Sequence, residues 1–382
     1  MSRIRPQLRE TEKSSNFMGF CGGYTLILIP IFIIASIYTM FQFGNYNDFA
    51  NAKTLNADTV QFEVKEGETL DEIMTNLIIS GILNERQVFI FPASELYLRF
   101  NSIDTKNIQA GIHEIPANTP VLEVFNYLKL QECEQFTVTL KEGLRIEEYA
   151  EKISQSIYSK GNQEKVRFSV DEFVSIAKNY TPGDNLNLGF TPPSNLEGYL
   201  FPDTYNFCMS VSSRQVIDKL LQTFDTKVFQ VIKSDLSAKN LSLQYTVNMA
   251  SMVERESFNN EERRVIAGIL NNRLSIGEVL GVDATSQYSN GYSQKQKTWW
   301  VKGDELAIAV QREDSYNTRK NAGLPPTPIA NPGLDSILAV INPTKTDYYY
   351  YVHNDCGGIH YAKTLSEHNV NASRYVGTGR CS

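Results

Sequence analysis

The stretch from Gln244 to Gly277, QYTVNMASMVERESFNNEERRVIAGILNNRLSIG, carries two helical patterns joined by a short polar break. Tyr245, Met249, Met252 and Val253 recur at the i, i+4, i+7, i+8 spacing of an amphipathic helix with one core-facing stripe. Continuing that stripe by three residues lands on Glu256. At roughly 100° per residue Glu256 falls near the middle of the apolar face. Glu254 lies about 160° away, on a face expected to be solvated, so the two do not pair from one helix. A carboxyl on a buried face pairs with a cation or keeps its proton, because desolvation disfavours the charged form. A raised pKa suits a general acid; the alternative is a residue at a frayed helix end that reaches water, Arg263 or Arg264. The second pattern, Val265, Ile266, Ile269, Leu270 and Leu274, has Asn271, Asn272 and Arg273 in its last turn and Gly277 as a stop signal. Packed as a hairpin, the two helices end near the same place.

The run MASMVERES, then ILNNRLSIG, then Leu280, Asp283 and Thr285 resembles the signature of the YceG-like endolytic murein transglycosylases, in which S-I-x-E-K-E precedes N-R-L-x-x-G-M-x-L-Q-T-D-P-T. The resemblance continues at NLEGYLFPDTY (Asn195 to Tyr205), SYNT (Ser315 to Thr318), GLPPTPIANPG (Gly323 to Gly333) and GGIHYAKTLSEHN (Gly357 to Asn369), in the family's order. It implies that Glu256, matching the second glutamate of E-K-E, is catalytic. It also implies a lyase that cleaves the β-1,4 bond between N-acetylmuramic acid and N-acetylglucosamine. Glycosidases usually use two carboxylates. In this family the 6-hydroxyl of N-acetylmuramic acid attacks its own anomeric carbon, and one carboxyl suffices for the proton transfers.

Glu197, Asn271, Arg273, Asp283, Thr285, Tyr316, Asn317 and His360 are the expected substrate-binding set. Glu197 and Asp203, in a loop beside Pro193 and Pro202, have turn or capping roles as their alternative. Gly281 and Val282 replace the family's Gln-Thr pair, so a substrate contact through that pair is not expected here. A metal reading of His353, Cys356, His360 and His368 is disfavoured: His360 and His368 match family positions without a metal, and Gly357-Gly358 suggests a hairpin turn. No cofactor is expected.

With 42% hydrophobic and 21% charged residues among 382, the chain has the composition of two or three folded units with real cores. A net charge of −7 argues against a nucleic-acid partner. The five cysteines lack C-x-x-C spacing, and their pairing is not legible. No charge occurs between Lys13 and Asp48, and TLILIPIFIIASIYTMF at its centre is long and apolar enough to cross a bilayer. The expected order is a cytoplasmic tail over 1–22, a transmembrane helix over 23–43, a linker over 44–57, a LysM-like α+β module over 58–132 and a mixed α+β catalytic unit over 133–382.

In the module, VQFEV alternates as a strand, Gly67 turns the chain and Leu70 to Ile78 form a helix. Ala110 to Ile115 is a second strand and Leu122 to Leu130 a second helix. Strand, Lys-Glu-Gly and helix recur at Thr137 to Ile153, by duplication or as a common local solution. The module either touches glycan or is a spacer. Further helices are expected at Val170 to Ala177 and Val216 to Phe229, and a buried strand at Asp347 to Val352. Hydrolytic muramidase and non-catalytic glycan scaffold are the rival functions. Glycan strands are the expected partner, and peptidoglycan synthases are the protein partners to consider. Arg3, Arg5, Arg9 and Lys13 place the N-terminus in the cytoplasm and the rest outside the plasma membrane. A reporter active only in the cytoplasm, fused after Ser382, should therefore be silent; strong activity would overturn the topology.

Overall fold

The structure, a computed structural model, describes residues 31–34, 36–38, 40, 52–65, 67–83, 108–129, 133–159, 166–183 and 186–380. Residues 31–34, 36–38 and 40 are helical and expose their apolar side chains, among them Phe32 and Met40. The expected cytoplasmic tail, most of the expected 23–43 span and part of the linker lie outside the described residues. Among the described residues no helix is long and apolar enough to cross a membrane.

The fold is mixed α+β and has two hydrophobic cores. Around the first, β1 (Val60–Val64) buries Phe62 and Val64 and turns Glu63 outward, the alternation that a half-buried strand requires. It pairs antiparallel with β2 (Gly111–Ile115), Val60 opposite Ile115. Thr69 and Glu72 form a capping box that starts α1 (Leu70–Ile79), whose Ile73, Met74 and Leu77 face inward. Helix α2 (Val121–Tyr127) closes this core with Val121, Val124 and Phe125.

The second core begins at β3 (Gln135–Thr139), antiparallel to β4 (Thr204–Cys208), with α3 (Ile146–Tyr158) and α4 (Val170–Lys178) between them. Helix α5 (Ser213–Phe224) passes through a π turn at Asp225–Phe229 into α6 (Gln230–Lys239), so the helix expected over Val216 to Phe229 is longer at both ends. The two patterns of the opening stretch are α7 (Leu243–Glu256) and α8 (Asn260–Ser275), capped by Ser242 and Asn259. Then follow α9 (Asp283–Asn290), α10 (Gly303–Ala309) and α11 (Leu334–Ile341), the last packed on both α7 and α8. Strands β5 (Tyr350–His353) and β6 (Ile359–Ala362) form a hairpin, and α12 (Leu365–Tyr375) packs on it. The strand expected at Asp347 starts at Tyr350 and is half-buried throughout, because each strand of a two-stranded hairpin is an edge.

The glycines of the two Lys-Glu-Gly sequences share a left-handed φ, +77° at Gly67 and +74° at Gly143, which suits glycine best. Their surroundings differ. Nothing lies within 4 Å of where a Gly67 Cβ would stand, whereas Gly143 rests against Arg255 and Glu254 at the end of α7. Among the described residues, the second turn is the one packed against another element.

Contacts between the parts built on the two cores are polar. The Cys208 N–H donates to the Gln61 side chain at 3.3 Å, and Lys219 pairs with Glu63 at 3.4 Å. Cys133 and Cys208 form a disulfide across a separation of 75 residues, just before β3 and at the end of β4. A cross-link closing a loop of that length restricts the unfolded chain, and losing a native disulfide typically costs about 2–4 kcal/mol. Cys133→Ser should lower stability by an amount in that range in denaturant unfolding without reductant; an unchanged midpoint would show that the cross-link adds nothing.

Candidate active site

Three consecutive residues at the end of α7 point three ways, as a rotation of roughly 100° per residue dictates. Glu256, the last helical residue, is half-buried and accepts a hydrogen bond from the Tyr351 hydroxyl of β5 at 2.9 Å. Burial pushes its carboxyl up to about 6; Asp283 adds to the rise, and the Tyr351 bond with the charges of Arg255 and Arg319 opposes it. Asp283, the first residue of α9, and Arg319 form an ion pair at 2.6 Å with both side chains partly open to solvent. The site is therefore one protonatable carboxyl with an open edge, a phenol on one side and an ion pair on another.

Arg255 turns to α3. Its Nη1 donates to the Gly143 carbonyl at 3.1 Å and its guanidinium lies 3.7 Å above the Trp300 ring, whose Nε1 donates to Glu148 at 2.9 Å. Glu254 departs from expectation. Its side chain is only 7% exposed and pairs with Arg263 at 3.1 Å. It also accepts from Gly333 N at 3.1 Å and the Ser336 hydroxyl at 2.7 Å. The face opposite Glu256 is solvated only in an isolated helix; here α11 covers it. A concavity of about 510 Å³ lined by Glu142, Asp203 and Glu254 lies on that side. It is lined by neither Glu256 nor Tyr351, so the chemistry is not placed there.

Several residues expected to touch substrate are held by the protein instead. Glu197 is fully buried and accepts from Ile146 N at 3.2 Å, Asn331 Nδ2 at 3.2 Å and the Tyr288 hydroxyl at 3.0 Å. Burial pushes its carboxyl up to about 8, against the pull of the Arg145 charge. Thr285 is fully buried and bonds the Val282 carbonyl and the Thr318 hydroxyl. Asn317 is also buried: its amide donates to the Val310 and Arg312 carbonyls and its oxygen accepts from Arg319 N. It braces the loop that carries Arg319. Arg273 donates to the carbonyls of Tyr349 at 2.5 Å and Leu280 at 2.6 Å and lies over the Tyr350 ring, tying β5 to the loop before α9. Asn271 accepts from the Tyr245 hydroxyl at 2.7 Å, near the start of α7, so the last turn of α8 lies at the opposite end of the antiparallel pair from Glu256 and not beside it as expected; the Tyr316 hydroxyl bonds Thr327 at 2.8 Å.

His360 pairs with Val352, one position along β5 from Tyr351. Alternation sends it to the opposite face of the hairpin from the Tyr351 hydroxyl, where its ring stacks on Tyr375 at 3.7 Å. Of the expected set, Asp283 is the residue whose charge acts on the Glu256 carboxyl. Gly281 and Val282 stand in a loop held by Thr318, with Val282 buried, so the pair that departs from the family pattern serves packing.

The four residues of the disfavoured metal reading have separate neighbours: His353 meets Phe258, Cys356 is disulfide-bonded, His360 meets Tyr375 and His368 meets Tyr350. Sequence reasoning missed Tyr351 and Arg319. The first sits in the aromatic run DYYYYV and the second directly follows SYNT, so the only signal for either was proximity to a singled-out block.

The YceG-like family model matches residues 62–374. The chain is 27% identical over 328 residues to a protein of Streptococcus pneumoniae named endolytic murein transglycosylase, covering 82% of this chain and 58% of that protein. It is also 27% identical over 323 residues to a protein of the same name from Bacillus subtilis, covering 83% and 85%. The match thus spans little more than half the length of the streptococcal relative. A crystal structure of a yceG-like protein from Listeria monocytogenes superposes with a TM-score of 0.47 at 25% identity, over 82% of this chain and 99% of that one, too loosely to carry a structural argument.

Replacing Glu254 by Gln removes the charge that pairs with Arg263, a nearly buried cation, while keeping the shape. The loss of a partner to a poorly solvated charge costs on the order of 2 kcal/mol. Urea unfolding of Glu254→Gln should show a loss of that size; unchanged stability would return Glu254 to the solvated role.

Proposed function

The chain belongs to the YceG-like family, and on that premise we propose that it is a membrane-anchored endolytic lytic transglycosylase. Its substrate is the nascent glycan strand of peptidoglycan, cut between N-acetylmuramic acid and N-acetylglucosamine. The observation that carries the proposal is the half-buried Glu256 carboxyl, raised to about 6 and bonded by Tyr351. In the reaction Glu256 gives its proton to the glycosidic oxygen as the C1–O bond breaks. The 6-hydroxyl of the same N-acetylmuramic acid forms the new bond to C1, and its proton passes to the Glu256 carboxylate, which restores the acid. Tyr351 stabilises the carboxylate midway through the cycle, and the Asp283–Arg319 pair offers hydrogen bonds to hydroxyls of the strand. The product is a 1,6-anhydro end, and water takes no part.

A hydrolytic alternative needs a second working carboxylate. Glu197 is sealed from substrate by its three donors, and Asp283 is engaged by Arg319, so the geometry favours the single-carboxyl route over muramidase chemistry. The non-catalytic scaffold reading gives no reason for a raised carboxyl bonded by Tyr351. The Cys133–Cys208 disulfide supports an extracytoplasmic setting, since such bonds persist where thiols are not kept reduced. A LysM-like role for the first core, as glycan contact or spacer above the membrane, and peptidoglycan synthases as partners belong to the same proposal.

Mass spectrometry of purified strands incubated with the protein tests the reaction. Products should end in 1,6-anhydro-N-acetylmuramic acid without label from isotopic water, and Glu256→Gln should be about 10² to 10⁴ slower. Labelled reducing ends, or full activity in Glu256→Gln, would sink the proposal.

The pH profile is a separate test. Glu256 must be protonated to act, so kcat/KM should be flat below pH about 6 and fall about tenfold per unit above it. The Tyr351 bond favours the charged carboxylate, so Tyr351→Phe should move that falling limb to higher pH; a shift to lower pH would contradict the assigned role.

A further inference from the structure

We propose that Phe258, two residues beyond Glu256, is a stacking platform for a pyranose ring of the bound strand and sets how tightly that strand is held. The proposal rests on Glu256 being the acid that cleaves a glycan.

Phe258 is 71% exposed, the most exposed large apolar side chain among the described residues beyond position 40. Its surroundings are nevertheless fixed. Its backbone N–H donates to Glu262 Oε2 at 2.9 Å, and Glu262 is buried and locked to Asn259 by two hydrogen bonds of 2.7 and 3.0 Å. The same Glu262 oxygen lies 3.5 Å from His353 Nε2. The His353 ring meets the Phe258 ring at 4.8 Å with planes 79° apart.

A row of rings therefore leads from the reacting carboxyl to open solvent: Tyr351 on Glu256, His353 at 6.2 Å from Tyr351, then Phe258. Folding gains little from holding a phenyl ring in water, because its apolar area stays wet. A pyranose gains from it, since the C–H face of the sugar covers an aromatic face while its hydroxyls remain in water. One exposed ring matches one sugar and is far smaller than a protein interface requires. Its anchored backbone and the His353 contact limit the ordering penalty of binding.

The test uses the full-length protein and peptide-free glycan strands. In Phe258→Ala the KM for release of anhydro ends should rise about tenfold with kcat within about twofold, and Phe258→Trp should restore it. An unchanged KM, or a fall in kcat alone, overturns the platform. The exposed ring makes little folding contribution, so the thermal midpoint of Phe258→Ala should match the wild type. In a Glu256→Gln background, strand affinity should fall about tenfold when Phe258→Ala is added. Equal affinity in that background also overturns the platform. Because this second arm needs no turnover, absence of anhydro ends from the wild type would strike the proposed reaction without deciding the platform.

Discussion

The buried Glu197 carboxyl and Asn331 amide tie together segments that are far apart in the chain. Glu197 takes the first free N–H of α3, the Asn331 amide and the Tyr288 hydroxyl. Asn331 accepts from Gly198 N and Leu200 N, donates from its side chain and its backbone N–H to the Leu144 carbonyl, and accepts from Gly143 N. Every polar atom in this knot that loses its partner is left in a dry interior, at on the order of 1–3 kcal/mol each. The knot therefore forms as a unit. It joins NLEGYLFPDTY, the second Lys-Glu-Gly turn, IANPG and α9.

That constraint reaches the active site through Gly143. With the turn held by Asn331, Gly143 is pressed against Arg255, whose guanidinium is then fixed between the Gly143 carbonyl and Trp300. Glu254 is fixed in turn by Arg263, Gly333 and Ser336. With its two neighbours immobilised, the last turn of α7 presents Glu256 in one orientation. A carboxyl held in place, rather than at a frayed end, meets the geometric demand of proton transfer to a leaving oxygen.

Much of the fold was legible because local chemistry dictates it. The 3.6-residue stripe, Gly277 as a stop signal and the alternation of VQFEV each act within a few residues, and the corresponding elements stand where those signals put them. The length of α5 to α6 was not legible, since a π turn leaves no pattern of its own.

At the site, the sequence by itself determined that Glu256 lies on an apolar face and that Asp283 and its neighbours belong to one motif. Periodicity reports which residues of a helix leave water, and it does so before anything packs on the other side. Only tertiary structure decided that Glu254 is covered by α11, that Glu197 and Thr285 are sealed inside, and that His360 points away from Tyr351. It also decided that Tyr351 and Arg319 complete the surroundings of Glu256. Those outcomes depend on which distant segments meet, and hydrogen bonds between residues 36 to 134 positions apart leave no spacing in the chain for a reader to find.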